Sequence, residues 1–162
     1  MEERTYFRDE AILYAQRWAL DRNPRYLDFS QLGGDCTNFA SQCLYAGAKV
    51  MNETKDTGWY YHSATDRAAA WTSVEYFRKF LLGNAGQGPY AVETPVAKLD
   101  PGDFVQLNNG ARFYHTLLVM AFDGNMPLLA AHTYDALLKP LGAYTFAFAS
   151  GLHIAGVRAM DA

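Results

Sequence analysis

The chain has 162 residues, of which 50% are hydrophobic and 19% are charged, and its formal net charge is −3. This length and composition favour one globular domain over residues 1–162 and exclude a disordered chain. No apolar run approaches the roughly 20 residues of a membrane span, and no cluster of Lys and Arg suits a nucleic-acid backbone, so we expect no membrane span and no nucleic-acid partner.

The beginning of the sequence shows no signal peptide, because residues 1–8 are polar and no short apolar segment follows them. We therefore expect a cytoplasmic protein from the chain as given, or a secreted one whose leader has been removed. No sequence feature indicates an oligomeric state.

Helical periodicity dominates the first half of the chain. Apolar residues recur at helical spacing over residues 11–19, and the Asn-Pro pair at 23–24 ends that helix. A second helix is predicted over residues 36–46, with Gly47 as its natural end. A third helix fits residues 67–82.

The second half changes from helical to strand patterns. Residues 83–102 are rich in Gly and Pro and are predicted to form a loop, and Asn108-Asn109-Gly110 is predicted to be a hairpin turn. Helices followed by a meander of strands predict an α+β fold, with N-terminal helices packed on a C-terminal antiparallel sheet. The predicted strands cover residues 104–107, 113–122, 128–133, 144–148 and 152–159.

Cys36 and Cys43 are predicted to be free thiols. Seven residues of one helix separate them by roughly 10 Å, whereas a disulfide needs Cα atoms within about 7 Å. The four His and two Cys show no paired spacing of the kind that zinc sites have. We therefore predict no metal and no organic cofactor.

Cys36 is the candidate nucleophile because of its place on the second helix. Asp35 is a good N-cap residue, which makes Cys36 the first helical residue, where the helix dipole lowers the pKa of a thiol. Gly33 and Gly34 lack a Cβ and would let a substrate carbonyl approach the sulfur. The alternative is that Cys36 is a small buried hydrophobic residue, as Cys43 in mid-helix is expected to be.

His115 is the candidate for the general base that a cysteine nucleophile needs. It stands in an otherwise apolar strand, and the alternative is a core histidine held by one hydrogen bond. If a two- or four-residue loop around residues 124–125 joins this strand to the next, His132 lies opposite Leu117 and faces the same side as His115. The two histidines would then be diagonal neighbours, about 7–8 Å apart between Cα atoms. Asp135 would point to the other face, so His132 is favoured as the orienting partner.

Aromatic residues cluster between the second and third predicted helices. Trp59 and Tyr61, with Tyr60 and Trp71 beside them, have flat faces that can stack on a sugar or on an apolar substrate group. The alternative is that they are core residues, which large aromatic side chains more often are.

A specific string surrounds the candidate nucleophile, and it runs Gly33-Gly34-Asp35-Cys36-Thr37-Asn38-Phe39. With the motifs that follow it, this string resembles the bacterial putative amidase domain family over nearly the whole chain. The resemblance implies a papain-like fold, related to the NlpC-type and CHAP-type thiol hydrolases, with the catalytic Cys at a helix N-terminus. The further motifs, in the order that the family shows, are Trp59-Tyr60-Tyr61, Trp71, Pro101-Gly102-Asp103, His115-Thr116 and His132-Thr133.

The same resemblance implies roles for individual residues. Cys36, His115 and His132 match the nucleophile, the base and the third polar residue of NlpC-type enzymes. Asp35 and Thr37 match residues that help those enzymes to hold the free amine of a peptide substrate, although Thr37 replaces the usual Ser.

The reaction predicted from these residues is amide hydrolysis through a thiol acyl-enzyme, as in a cysteine amidase or peptidase. Cys36 attacks the carbonyl, its backbone N–H and Gln31 hold the oxyanion, and His115 passes the thiol proton to the leaving amine. Tyr26 is the nearest match to a Tyr that lines the cleft in the related enzymes. The resemblance points to a small peptide, or an amide of bacterial cell-wall type, as the substrate. An acyltransferase with the same residues and a catalytically silent binding module are the alternatives.

Overall fold

The α-helices of the described residues lie in the first half of the chain and six strands follow the last of them, as the hydrophobic patterns predict, but three short strands that were not predicted lie before or among the helices. The computed structural model describes residues 1–160, and residues 161 and 162, at the end of the predicted domain, lie outside the described residues. Within the described range there are four α-helices: α1 (Arg8–Trp18), α2 (Cys36–Ala48), α3 (Ala69–Thr72) and α4 (Val74–Gly83). The strands are β1 (Glu2–Arg4), β2 (Tyr61–Ser63), β3 (Asp66–Arg67), β4 (Gly88–Thr94), β5 (Phe104–Asn108), β6 (Phe113–Asp123), β7 (Met126–Ala131), β8 (Ala136–Pro140) and β9 (Phe148–Ala159).

Seven of these strands form one antiparallel sheet, and β2 and β3 form a separate hairpin. The main sheet has the order β1-β9-β5-β6-β7-β8, and β4 also pairs with β9. Every pair in it is antiparallel. The predicted α+β fold with an antiparallel sheet is therefore confirmed.

The helices cover one face of the sheet, and short irregular segments cover the other. Phe39 of α2 and Phe77 of α4 pack with Leu118 of β6 in the core on the helix side. A second, smaller core on the opposite face contains Leu117 and Val119, the neighbours of Leu118 in the same strand. Successive side chains of β6 thus enter different cores, as strand geometry requires.

Three local predictions were wrong. The third predicted helix is divided at Ser73, whose extended backbone ends α3 and whose hydroxyl accepts a hydrogen bond from the N–H of Tyr76 in α4. The predicted loop contains β4, because Gly and Pro are tolerated in a strand with a neighbour on one side only. Most of the segment 144–148, which was expected to be a strand, is irregular, and the strand that precedes it in the chain is β8.

Buried Asp103 joins the start of α1 to the sheet. Its Oδ1 accepts hydrogen bonds from Arg8 at 2.8 Å and from the N–H of Ile154 at 2.9 Å, and its Oδ2 accepts one from His153 at 2.8 Å. Asp100, Asp103 and His153 bring three potential metal-ligand atoms within 4.8 Å of one another. Because the Arg8 guanidinium already neutralises Asp103, we assign this cluster a structural role.

The remaining predictions on the fold concern membranes and the family architecture. None of the helices among residues 1–160 is long and apolar enough to cross a membrane. Cys36 is the first residue of α2, where the sequence places it. The papain-like architecture that the resemblance implies stays a prediction.

Candidate functional site

The start of α2 is set by two glycines and an aspartate. Gly33 and Gly34 have φ values of 100° and 109°, in the left-handed region that favours glycine. Asp35 occupies the N-cap position, but its carboxylate makes no capping hydrogen bond to the first turn. That carboxylate instead accepts hydrogen bonds from the N–H of Phe29 at 2.8 Å and from the Asn38 amide at 2.9 Å.

The diverted carboxylate leaves the first turn of α2 open. The first intrahelical hydrogen bond runs from the N–H of Phe39 to the carbonyl of Asp35, at 3.0 Å. The N–H of Cys36 has no acceptor within residues 1–160. A free N–H beside a thiol is the element from which an oxyanion site can be built.

The Cys36 thiol lies beneath the surface, with 8% of the residue exposed. Its Sγ lies 3.7 Å from the Thr37 hydroxyl, within hydrogen-bonding distance for sulfur. Burial raises the pKa of the Cys36 thiol, and the backbone N–H of Thr116 opposes this effect only in part. The expectation of a lowered pKa is therefore wrong for this arrangement, because desolvation of the buried thiol is the largest effect on its pKa. Both cysteines are free, as predicted, and Cys43 is fully buried.

A chain of buried polar side chains links α2 to the sheet. The Thr37 hydroxyl lies 3.0 Å from the Thr116 hydroxyl, and Gln106 of β5 donates to that same hydroxyl at 3.2 Å. Gln106 also donates to the carbonyl of Val74, at 3.0 Å. This chain fixes α2 against β6 directly beside Cys36.

His132 lies on the helix side of the sheet and is almost completely buried, with 1% exposed. Its Nδ1 is 2.5 Å from Asp35 Oδ2, and its Nε2 is 2.7 Å from the carbonyl of Trp18. Its ring stacks on Phe39, with the centroids 4.0 Å apart. Both ring nitrogens thus face oxygen acceptors, so His132 holds the residue that precedes Cys36 and does not reach Sγ.

His115 lies on the opposite face of the sheet from Cys36. Because Thr116 points towards α2, its neighbour His115 points away from it, with its ring 6.0 Å from that of Tyr144. Burial, with a contribution from the charge of Lys139, lowers the pKa of His115 to about 4. The expected approach of His115 to Cys36 is therefore not found, and the catalytic role of His115 stays a prediction.

A single extra residue in β6 explains why the two histidines do not share a face. The two-residue loop expected at residues 124–125 is present, with Asp123 opposite Met126. Further along, a bulge at Met120 shifts the register by one residue, and Val119 pairs with Leu129. A one-residue shift moves every later side chain to the other face. Continued past the end of β7, this register places His132 opposite Thr116 instead of Leu117.

The predicted substrate-binding residues divide into buried and exposed ones. Asp35 and Thr37 are each 1% exposed and fully engaged, so neither is free to hold a substrate amine in this arrangement. Trp59 is also fully buried, and its Nε1 donates to Ser41 at 3.0 Å, which fits the alternative of a core residue, and its role in ligand binding stays a prediction. Gln31 is exposed on the loop before α2, where it remains a candidate.

Tyr26 and Tyr61 belong to one aromatic cluster behind that loop. Tyr26 is half-buried and stacks on Trp71, with the centroids 6.0 Å apart. The hydroxyl of Tyr61 accepts the N–H of Leu27 at 3.0 Å, and Tyr61 is 9% exposed. Tyr61 therefore supports the loop as a buried residue, and its contact with a ligand stays a prediction, while Tyr26 keeps a partly exposed ring.

Open space for a ligand lies elsewhere on the helix side. A groove of about 510 Å³ runs beside α4, and a second of about 690 Å³ adjoins it. Cys36 lines neither groove. The residues shared by the two grooves are Asp56, Thr57 and Tyr76.

Two polar residues of the site were missed by sequence reasoning. Thr116 gave one weak signal, as a hydroxyl inside an apolar strand. Arg22 gave none, because its main partner Asp135 is 113 positions away. Its guanidinium donates to both carboxylate oxygens of Asp135, at 2.8 and 2.9 Å, and lies 3.2 Å from His132 Nε2.

Comparison of the sequence with known proteins places the chain in a family. The chain is 39% identical over 140 residues to the Uncharacterized protein YhbB of Bacillus subtilis (strain 168), which covers 83% of this chain and 43% of that protein. The chain therefore spans less than half the length of this relative. No solved structure gives a significant match. The family described as "Putative amidase domain" matches residues 5–151, and the chain belongs to that family.

Proposed function

We propose that this protein hydrolyses amide bonds through the thiol of Cys36. Family membership supports amide hydrolysis, and one observation supports the choice of nucleophile. Cys36 is the first residue of a 13-residue helix, and its N–H has no acceptor within residues 1–160. The helix N-terminus favours the negative charge of a thiolate and of an oxyanion.

The proposed reaction has two steps. In the first, Sγ of Cys36 bonds to the carbonyl carbon, the C–N bond breaks, and the amine leaves with a proton. In the second, water adds to the thioester and releases the acid and the free thiol. The Cys36 N–H, with Gln31 from the exposed loop, holds the oxyanion in both steps.

We propose His115 as the residue that carries the proton. His115 can face Cys36 only if a second bulge in β6, at Tyr114, moves by one residue. Leu107 pairs with His115 and Asn108 with Phe113, so Tyr114 is the extra residue. If Leu107 paired with Tyr114 instead, His115 would join Thr116 opposite Gln106 and face α2. Bulges re-aim side chains in this way near functional sites. His132 then acts by holding Asp35 rather than by contacting His115.

The substrate class that we propose is a small peptide amide, including amides of bacterial cell-wall type. The motif resemblance supports this choice. The loop before α2, with exposed Gln31 and partly exposed Tyr26, is the surface that would meet such a substrate.

A second candidate function is a binding module without thiol chemistry. One specific observation favours it: the Cys36 thiol is buried, its pKa is raised, and no imidazole nitrogen within residues 1–160 is in hydrogen-bonding distance of Sγ. A module of this kind would bind its ligand with Cys36 replaced.

The first experiment measures amine release from a panel of peptide amides and cell-wall peptide fragments. Cys36→Ala should lower the rate by about 10³-fold or more, because the acyl-enzyme can no longer form. Cys43→Ala, on the same helix and fully buried, is the matched control and should keep the rate. Adding a competing amine separates a hydrolase, which gives the acid, from an acyltransferase, which gives the new amide. Equal rates for Cys36→Ala and the wild type would contradict the proposal.

A second experiment assigns the proton carrier. His115→Ala should abolish turnover without unfolding the protein, whereas the same change at a bystander histidine such as exposed His62 should not. Full activity of His115→Ala would remove His115 from the mechanism.

A further inference from the structure

The turn between β7 and β8, residues 132–135, has an unusual backbone. Thr133 and Tyr134 both have left-handed φ values, 57° and 61°. Two consecutive left-handed residues make the type of turn that Asn-Gly normally forms, and β-branched Thr is among the least suited residues. An arrangement of this kind persists only where surrounding contacts hold it.

Three side chains of this turn hold the approach to α2. His132 Nδ1 lies 2.5 Å from Asp35, and the Thr133 hydroxyl accepts the N–H of Asp35 at 2.8 Å. Asp135 forms the bidentate pair with Arg22. The fourth side chain, Tyr134, is 91% exposed and takes no part.

Arg22 connects the turn to the loop before α2. Besides Asp135, its guanidinium lies 3.3 Å from Asp28, 3.7 Å from Asp35 and 3.2 Å from the hydroxyl of Ser30. The two terminal nitrogens of the planar guanidinium hydrogen-bond to Asp135 while Nε faces Asp28 and Asp35 without a hydrogen bond among the described residues, a geometry that a lysine cannot reproduce.

We propose that Arg22 is a positioning residue for Cys36. By holding the strained turn 132–135 against Asp35, it keeps the first turn of α2 ordered and the Cys36 sulfur buried. Without Arg22, Thr133 can relax out of its left-handed conformation, and the N–H of Asp35 loses its acceptor. The first turn of α2 then loosens, and the buried sulfur becomes accessible. The effect on the thiol stands by itself, and only the effect on turnover rests on the proposed function.

The test is the rate of Cys36 alkylation by iodoacetamide in the native protein, at one fixed alkaline pH. Arg22→Gln should raise this rate at least 10-fold while Cys43 remains unlabelled. Where an amide substrate has been found, kcat should fall with little change in KM. Arg22→Lys keeps the positive charge but loses the planar guanidinium. Its alkylation rate should therefore lie between those of the wild type and Arg22→Gln.

Tyr134→Gly distinguishes this mechanism from a general loss of stability. Glycine accepts the left-handed conformation without strain, and the Tyr134 side chain makes no contact that would be lost. When Tyr134→Gly is added to Arg22→Gln, the alkylation rate of Cys36 should therefore return at least halfway towards the wild-type value.

Two results would overturn the proposal. One is an alkylation rate for Arg22→Gln within twofold of the wild type, and the other is the absence of any rescue by Tyr134→Gly. If iodoacetamide also labels Cys43 in Arg22→Gln, that variant is globally unfolded. The same two criteria, the alkylation rate and the rescue by Tyr134→Gly, are then applied to Arg22→Lys. Loss of turnover in Cys36→Ala is a separate result, so a failed proposed function is told apart from a failed role for Arg22.

Discussion

Neighbouring residues of β6 meet two very different environments. On the helix side, the hydroxyl of Thr116 contacts Thr37 and Gln106, as part of a connected chain of polar side chains. On the outer side, His115 makes no hydrogen bond within residues 1–160, and the buried hydroxyl of Tyr144 beside it also has no partner there. The polar groups of the helix side are therefore committed to holding α2 in place. His115 and the Tyr144 hydroxyl on the outer side can change without breaking such a network.

This difference predicts the effect of substitution on each face. Removing one member of a paired buried network leaves its partner unsatisfied, which is costly. Removing an unpartnered group leaves nothing behind. The following four predictions test the contrast, beginning with the largest effect.

His132→Ala should give the largest loss of stability. It leaves the buried carboxylate of Asp35 without its imidazole partner, and breaking a buried pair costs about 3–5 kcal/mol. Urea unfolding followed by tryptophan fluorescence measures the free energy. His115→Ala on the outer face is the matched control and should cost about 1 kcal/mol. Equal losses for the two variants would erase the difference between the faces.

The pH dependence of stability should identify the outer histidine. The folded pKa of His115 is about 4, against an ordinary value of 6.5, so the unfolded chain binds the proton more readily between these values. His115 therefore makes its full contribution to the free energy of unfolding above pH 6.5. As the pH falls towards 4, the free energy of unfolding decreases by at most about 3 kcal/mol. His115→Gln should flatten this part of the unfolding curve. An unchanged slope in the variant would show that His115 is not desolvated on this face.

Thr116→Val tests the polar chain beside Cys36. It removes the hydroxyl that Gln106 and Thr37 share, at a cost of about 1–3 kcal/mol in the free energy of unfolding. Thr145→Val, at an exposed position, is the control and should change stability by less than about 0.5 kcal/mol. A neutral Thr116→Val would indicate that water replaces the hydroxyl.

Tyr144→Phe should have the smallest effect, and in the opposite direction. Its buried hydroxyl has no partner within residues 1–160, so removing it should be neutral or stabilise the protein by up to about 1 kcal/mol. Tyr114→Phe is the contrasting variant, since the Tyr114 hydroxyl donates to the carbonyl of Thr145 at 2.6 Å. A destabilised Tyr144→Phe would reveal a bound partner for that hydroxyl.

Local patterns predicted the elements of this fold better than their contacts. The start of α2 at Cys36 was predicted from the residue type at its N-cap position, and the strand around His115 from its run of apolar residues, both of which are signals within a few residues of the chain. The bulges at Tyr114 and Met120 have no such signal, because neither residue is a glycine and the extra residue is set by the packing of both faces. They decide on which side of the sheet each histidine lies.

The contacts of Arg22 were beyond sequence reasoning for a different reason. Its partners Asp28 and Asp135 belong to two loops that meet only after the sheet has formed. A charged residue after a helix is common on protein surfaces, so nothing local separates it from its neighbours. The same holds for Asp35, whose carboxylate turns away from the cap that its position suggests.

The place of β9 in the sheet has a consequence for how the chain reaches its native state. This strand is the last of the nine within residues 1–160, yet it pairs with β1, β4 and β5. During synthesis, the backbone hydrogen-bonding groups of β1 and β4 stay unpaired until β9 has been made, while the β5–β6–β7 meander can already form. Pairings between such distant segments slow folding and expose strand edges to other chains. We expect refolding to be slow and concentration-sensitive, with the meander protected from hydrogen exchange before β1 and β4.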